Sequence, residues 1–127
     1  MSQAAGVLDL TFKAGADLSA KQYCFVKLDA DGNVVACGAN EVSIGILQNK
    51  PESGKAARIR LLGTSKLVMS GACDEGEALT STAAGLGEVV DLADEYAGAI
   101  ALEAADGADE IIEVLLTHMY SPVSHAT

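Results

Sequence analysis

The sequence predicts an all-β fold: a small β-barrel or β-sandwich with an internal pseudo-repeat and at most one or two short helices. The main observation is that turn glycines and apolar residues both recur 53 positions later. Turn glycines and inward-facing apolar residues determine the order of strands, so the matches indicate one β-rich unit present twice, at residues 14–63 and 67–116. The matched pairs are Gly32 with Gly85, Gly45 with Gly98, Gly54 with Gly107, Val26 with Leu79, Leu47 with Ile100, Ile59 with Ile112 and Leu61 with Val114.

The individual elements are short strands separated by turns. An extended segment at residues 6–12 is broken at 13–17, and strands are predicted at 24–28, 34–37, 43–48 and 56–62. The Asp31-Gly32 step is a strong hairpin signal, and a turn centred on it would place Val26 opposite Cys37. Past Gly63, strands are predicted at 65–69, 78–80, 88–91, 97–102 and 110–116. Residues 92–96 are the place where a helical turn is expected.

The chain is predicted to form one domain with two extensions. Its 127 residues suffice to bury a core without metal ions or disulfides. We expect an extended N-terminal arm at residues 1–12, a β-rich domain at 13–116 and a C-terminal tail at 117–127. The three cysteines, Cys24, Cys37 and Cys73, lack metal-type spacing and are predicted to be buried free thiols.

Charge is distributed unevenly along the chain. All eight Lys and Arg residues lie between Lys13 and Lys66, and together with the six acids of residues 1–66 they leave that part of the chain with a net charge of +2. From Leu67 onward there are 12 acids and no Lys or Arg, for a net charge of −12. This asymmetry biases how copies of the chain, or the chain and a larger surface, approach each other. The alternative is that the acids only keep a glycine-rich β protein soluble.

The same composition argues against several function classes. A pI near 4.4 disfavours binding to nucleic acid. A catalytic thiol needs a nearby base, and both histidines lie in the tail. Residues 29–33 resemble the start of a calcium loop, but Asn40 stands where the loop needs a glutamate. We therefore predict no enzyme activity, no cofactor and no metal site.

The chain also lacks an apolar run of about 20 residues and the features of a signal peptide, so we expect no membrane association and synthesis in the cytoplasm.

Four segments, in this order, resemble a known family: FKAGADLS at 12–19, VKLDADG at 26–32, SIGILQ at 43–48 and VMSG at 68–71. The family is that of the small phage proteins known as capsid cement or DUF2190 proteins, and the resemblance covers about residues 7 to 116. It implies a head decoration protein that binds the outside of the expanded capsid and reinforces it. It also implies two partners, the major capsid protein and further copies of this chain in a homotrimer, and a location on the outer surface of the virion after synthesis in the host cytoplasm.

The N-terminal arm is a candidate for contact with the capsid. It carries the apolar residues Val7, Leu8, Leu10 and Phe12, and a free strand can pair with an exposed sheet edge of a partner. The alternative is that these residues complete the sheet of their own domain.

A second set of residues is predicted to lie at an interface between copies. Arg58 and Arg60 form a basic strip, and the 53-residue offset places Glu113 in the position equivalent to Arg60. A pseudo-symmetric or head-to-tail contact would bring these unlike charges together. Tyr120 is expected to pack across the interface, unless the tail is simply exposed.

The sequence leaves one other class of function open. A small β-barrel binding module could hold a carbohydrate or a host-surface ligand on its loops. The chain has five aromatic Phe, Tyr and Trp residues, and sugar sites usually need aromatic faces, which weakens this alternative.

Overall fold

The computed structural model describes residues 7–90 and 96–120, with side chains described as far as His118. These residues form two five-stranded antiparallel sheets. Sheet A contains β1 (Leu8–Lys13), β2 (Phe25–Leu28), β3 (Val34–Ala36), β4 (Gly45–Leu47) and β5 (Ala56–Leu62). Sheet B contains β6 (Thr64–Val68), β7 (Ala78–Ser81), β8 (Gly87–Val89), β9 (Tyr96–Ala101) and β10 (Ile111–Tyr120). The described residues contain no helix, and hence none long and apolar enough to cross a membrane.

The two sheets have the same strand order. Sheet A runs β1-β5-β4-β2-β3 and sheet B runs β6-β10-β9-β7-β8, so each strand of sheet B follows its counterpart by five places. The predicted all-β class and its internal repeat are therefore confirmed, in a sandwich-like form. Isolated parallel bridges join Ala14 to Val34 and Met69 to Gly87, but neither sheet closes into a barrel within the described residues. The helical turn expected at 92–96 falls mostly on residues 91–95, which lie outside the described ranges, and Tyr96 already belongs to β9.

The first hairpin is present, but its predicted register is wrong by one residue. Val26 lies opposite Ala36 rather than Cys37. The reason is the turn type. Gly32 N donates to the carbonyl of Asp29 (3.1 Å), and Asp29 N donates to the carbonyl of Asn33 (2.8 Å). Gly32 has a φ of +80°, so the loop is a three-residue connection with a left-handed bulge residue, which centres the hairpin on Asp31 instead of the Asp31-Gly32 bond.

The equivalent turn in sheet B is built in the same way. Gly85 has a φ of +82°, and its N–H donates to the carbonyl of Thr82 at 3.0 Å. Thr82 Oγ1 accepts hydrogen bonds from the amides of Ala84 and Leu86. Asp29, at the matching position in sheet A, uses Oδ1 to accept from the amides two and four residues ahead of it. Two different side chains thus stabilise one duplicated turn.

The buried side chains form two clusters. One cluster belongs to the first unit and includes Val26, Leu47 and Ile59. The other joins the two sheets, because Phe25 and Ile46 of sheet A pack in the same cluster as sheet B residues. Those sheet B residues include Leu67, Leu79, Ile112 and Val114. The two halves consequently share a core and do not behave as separate domains.

Candidate partner interface

An apolar groove of about 570 Å³ opens where the ends of the two sheets meet. It is lined by Leu8, Val42, Ser43, Ile44, Leu61, Leu62, Tyr96 and His118. On its rim, Leu8, Val42 and Leu62 are 42%, 53% and 48% exposed. A cluster of exposed large apolar side chains beside a concavity is typical of an interaction site.

A hydrogen-bond network joins the groove walls. The Tyr96 hydroxyl donates to the carbonyl of Ser43 at 3.2 Å and lies 3.0 Å from His118 Nδ1. His118 Nε2 lies 2.8 Å from the carbonyl oxygen of Leu61. A carbonyl oxygen only accepts, so Nε2 carries the proton in this contact. The imidazole of His118 therefore connects β9 and β10 of sheet B to the end of β5 in sheet A.

The loop that carries Val42 into the groove is fastened to sheet B. Ser81 Oγ donates to the carbonyl of Gly38 at 2.6 Å and accepts from the amide of Glu41 at 3.3 Å. The Asn40 amide donates to the carbonyl of Ser81 at 2.8 Å, and Asn40 Oδ1 accepts from the amide of Tyr96 at 3.0 Å. These bonds hold residues 38–41 against sheet B. They thereby position residues 42–44, which form one wall of the groove.

The predicted arm residues lie mostly in the domain's own sheet. Residues Leu8–Lys13 form β1, the edge strand of sheet A, which pairs with β5. This is the alternative arrangement considered above. Leu8 lines the groove, Leu10 is 46% exposed, and Val7 and Phe12 are half-buried. Residues 1–6 of the predicted arm lie outside the described ranges. Contact between these side chains and a capsid stays a prediction.

The predicted interface residues lie partly together within one chain. Arg60 binds Asp9 through two hydrogen bonds, Nε to Oδ1 at 2.8 Å and Nη2 to Oδ2 at 3.0 Å. The hydrogen bond from Arg60 lowers the pKa of Asp9, and the same bond, with a smaller contribution from the nearby charge of Glu113, raises the pKa of Arg60. The side chain of Arg58 is 56% exposed, with Nε 3.7 Å from Asp9. The backbone of Tyr120 ends β10, and its side chain lies outside the described set. A contact between copies through these residues stays a prediction.

Sequence reasoning missed most of the groove. Val42, Ile44, Tyr96 and His118 come from distant parts of the chain and become neighbours only through the sheet order. One signal was available: in the alternating strand at 56–62, adjacent leucines at 61 and 62 must point to opposite faces, so one of them is turned away from the core.

The described residues show neither a cluster of metal-binding side chains nor an exposed cysteine thiol. In the described residues, no three His, Cys, Asp or Glu side chains lie close enough to hold a metal ion. The three cysteines are free and buried, and burial raises the pKa of Cys37 to about 12.

Comparison with known proteins gives a structural neighbour. The crystal structure of the head fiber gp8.5 N base in bacteriophage phi29 is similar to this chain, with a TM-score of 0.71 and 13% sequence identity. The aligned region covers 94% of this chain and 99% of that one. The two chains share a fold. No protein-family model matches the sequence and no curated protein matches it, so membership of the capsid cement family stays a prediction.

Proposed function

We propose that this chain is a structural protein of a bacteriophage virion that decorates the outer surface of the expanded capsid as a homotrimer and reinforces the shell. The observation that carries the proposal is the fold similarity to a phage head fibre base over nearly the full length of both chains. Independent support comes from the four segments between residues 12 and 71 that resemble capsid cement proteins. A rigid β-body with a shared core also suits a protein that bridges neighbouring shell subunits.

The groove and the edge strand β1 supply the proposed contact with the major capsid protein. Leu8 belongs to both, and Leu10 extends the exposed apolar surface along β1. Edge strands pair readily with partner strands, and apolar rim residues gain free energy when a partner covers them. Deep burial of Leu8 and Val42 in a complex is therefore a direct expectation of this assignment.

A second apolar surface on sheet B is assigned to contact between copies. Ile111 and Leu115 alternate with Glu113 along β10 and are 52% and 40% exposed. Glu113 lies opposite Lys66 on β6, so this surface carries one positive charge on an otherwise acidic sheet. Copies can approach there with less repulsion than over the rest of sheet B.

The alternative of a carbohydrate-binding module gains no support from the groove. Sugar sites present aromatic faces to the ligand, whereas the one Tyr in the lining, Tyr96, is 6% exposed. We therefore retain the decoration role as the single proposal.

Two solution measurements test the proposal. Purified protein mixed with expanded, undecorated capsids of the phage that encodes it should co-sediment with them at a saturating ratio, and absence of binding would overturn the capsid role. Light scattering should give three times the chain mass of 12.9 kDa. Leu115→Glu should lower that mass, and Leu28→Glu, an exposed leucine on β2, should leave it unchanged. A monomeric wild-type protein at high concentration would overturn the trimer.

A further inference from the structure

Exposed cations gather at the end of sheet A where β1 finishes and β5 begins. Lys13 is the last residue of β1, and Arg58 follows the β5 partner of Lys13 by two residues, so both side chains lie on the same face of the sheet. The three lysines at this end form no ion pair with a described residue, and Arg58 shares Asp9 with Arg60. We call this set the basic corner: Lys13, Lys50, Lys55 and Arg58.

The equivalent end of sheet B carries the opposite charge. The Ala14 amide donates to the carbonyl of Lys55 at 2.9 Å, and in the second unit the Met69 amide donates to the carbonyl of Glu110 at 2.7 Å. The residue before each acceptor has a positive φ and donates its own amide back to the same partner. Lys55 and Glu110 are therefore structurally equivalent. The exposed acids at this end form the acidic corner: Glu103, Asp106, Asp109 and Glu110.

A second pair of equivalent hydrogen bonds extends this inversion of charge. Asn49 Oδ1 accepts from the Arg58 amide at 3.0 Å, and Glu103 Oε1 accepts from the Glu113 amide at 2.7 Å. Glu113 is therefore the equivalent of Arg58, and not of Arg60 as the spacing in sequence suggested. The duplicated unit keeps its backbone contacts and replaces cations and a neutral side chain with acids. Each copy consequently presents two corners of similar backbone structure and complementary charge.

Symmetry and charge together select a second copy of this chain as the partner of the basic corner. A closed ring of three needs two different surfaces on each copy, because the contact is head-to-tail. The proposed function assigns one of them, the apolar surface of β10, and that surface adjoins the acidic corner because Ile111 directly follows Glu110. The partner surface must therefore accept acids, and the basic corner has the charge to do so.

We propose that the basic corner of one copy binds the acidic corner and the adjoining β10 surface of the next copy around the trimer. Ile111 and Leu115 then pack against the alkyl stems of Lys13 and Arg58, whose charged ends meet carboxylates of the acidic corner. The inference rests on the proposed function and identifies the second surface of the trimer. Leu8 lies at the other end of β1 from Lys13, so the groove stays available to the capsid.

Charge reversals at the two equivalent positions test the contact. Lys55→Glu and Glu110→Lys should each raise the dissociation constant of the trimer by about tenfold or more at low salt, measured by light scattering over a concentration series. Glu110→Lys makes the chain less negative, so a change in general repulsion alone would strengthen the trimer instead. The double variant Lys55→Glu/Glu110→Lys should recover most of the loss, because the two charges are exchanged within every interface.

Asp31→Lys is the matched control for Glu110→Lys. It makes the same change of charge in an exposed turn outside both corners and should not weaken the trimer, and thermal melting verifies that all variants fold. Unchanged trimers in both single variants would overturn this inference and leave the decoration function standing. Loss of capsid binding by a Lys55→Glu protein that is still trimeric would also overturn it and assign the basic corner to an acidic capsid surface. A monomeric wild-type protein would overturn the proposed trimer itself.

Discussion

Arg60 holds the carboxylate of Asp9 by two parallel hydrogen bonds across a sequence separation of 51 residues. The two residues face each other in the β1–β5 register, so the pair holds the N-terminal strand β1 against β5. Two parallel bonds give an arginine–carboxylate pair geometric specificity as well as free energy. The pair therefore contributes to holding Leu8–Lys13 in the sheet of its own chain.

Asp9→Asn should reduce the free energy of unfolding by about 1–2 kcal/mol at neutral pH, because the partly buried charge-assisted bonds are lost. The pKa of Asp9 in the folded chain lies below its ordinary value. Its stabilisation is therefore complete above the ordinary carboxyl pKa and is lost as pH falls through the lowered folded-state pKa. Urea denaturation from about pH 7 to about pH 2 should show the variant and wild type converging in acid. Asp31→Asn, in an exposed turn, is the control, and a gap that persists in strong acid would contradict the role of the charge.

Gly85→Ala should destabilise the protein more than Gly32→Ala. Both glycines have positive φ and occupy equivalent turns, so each substitution carries a backbone cost of about 1 kcal/mol. A Cβ at Gly85 would also lie 3.1 Å from the carbonyl oxygen of Phe25, whereas one at Gly32 would meet nothing within 4 Å. We expect an additional loss of about 1 kcal/mol for Gly85→Ala. Chemical denaturation of the two variants measures the difference, and equal losses would disprove the contact.

Ser81→Ala should loosen the loop that supports Val42. The Ser81 hydroxyl is buried and bonds both the Gly38 carbonyl and the Glu41 amide, and unpaired buried groups cost about 1–3 kcal/mol. Faster amide exchange at residues 38–42 is expected together with the lower stability. Ser53→Ala, in an exposed loop, should change neither quantity. Native-like exchange in Ser81→Ala would show that the loop is held by other contacts.

The native cysteines should resist alkylation. Cys24, Cys37 and Cys73 are buried, and desolvation raises the pKa of each thiol, that of Cys37 to about 12. Thiolates are the reactive form, so little of it exists near pH 8. Iodoacetamide followed by mass spectrometry should label the native protein slowly and all three sites rapidly in urea. Rapid labelling of Cys37 in the native state would contradict its burial.

The duplicated fold could be predicted because it depends on local patterns. Gly32 and Gly85 mark equivalent turns, and Val26 and Leu79 occupy equivalent core positions. The predicted register of the first hairpin was wrong because the type of turn depends on which backbone groups form hydrogen bonds. The Asp-Gly step alone does not determine that Asp29 pairs with Asn33.

The candidate interface is only partly readable from the sequence. Leu8 was selected as a contact residue, but its place in β1 depends on the distant partner Arg60, whose bond to Asp9 carries no local signal. The groove depends on the meeting of residues near 8, 42, 62, 96 and 118. Such proximity follows from sheet topology, and no periodicity within one segment encodes it.

Cryo-electron microscopy of the protein mixed with expanded, undecorated capsids of the phage that encodes it tests the central claim most directly. We expect trimeric density on the outer surface at threefold positions, with the groove that contains Leu8 and Val42 against the capsid protein. Bare capsids beside folded protein would contradict it.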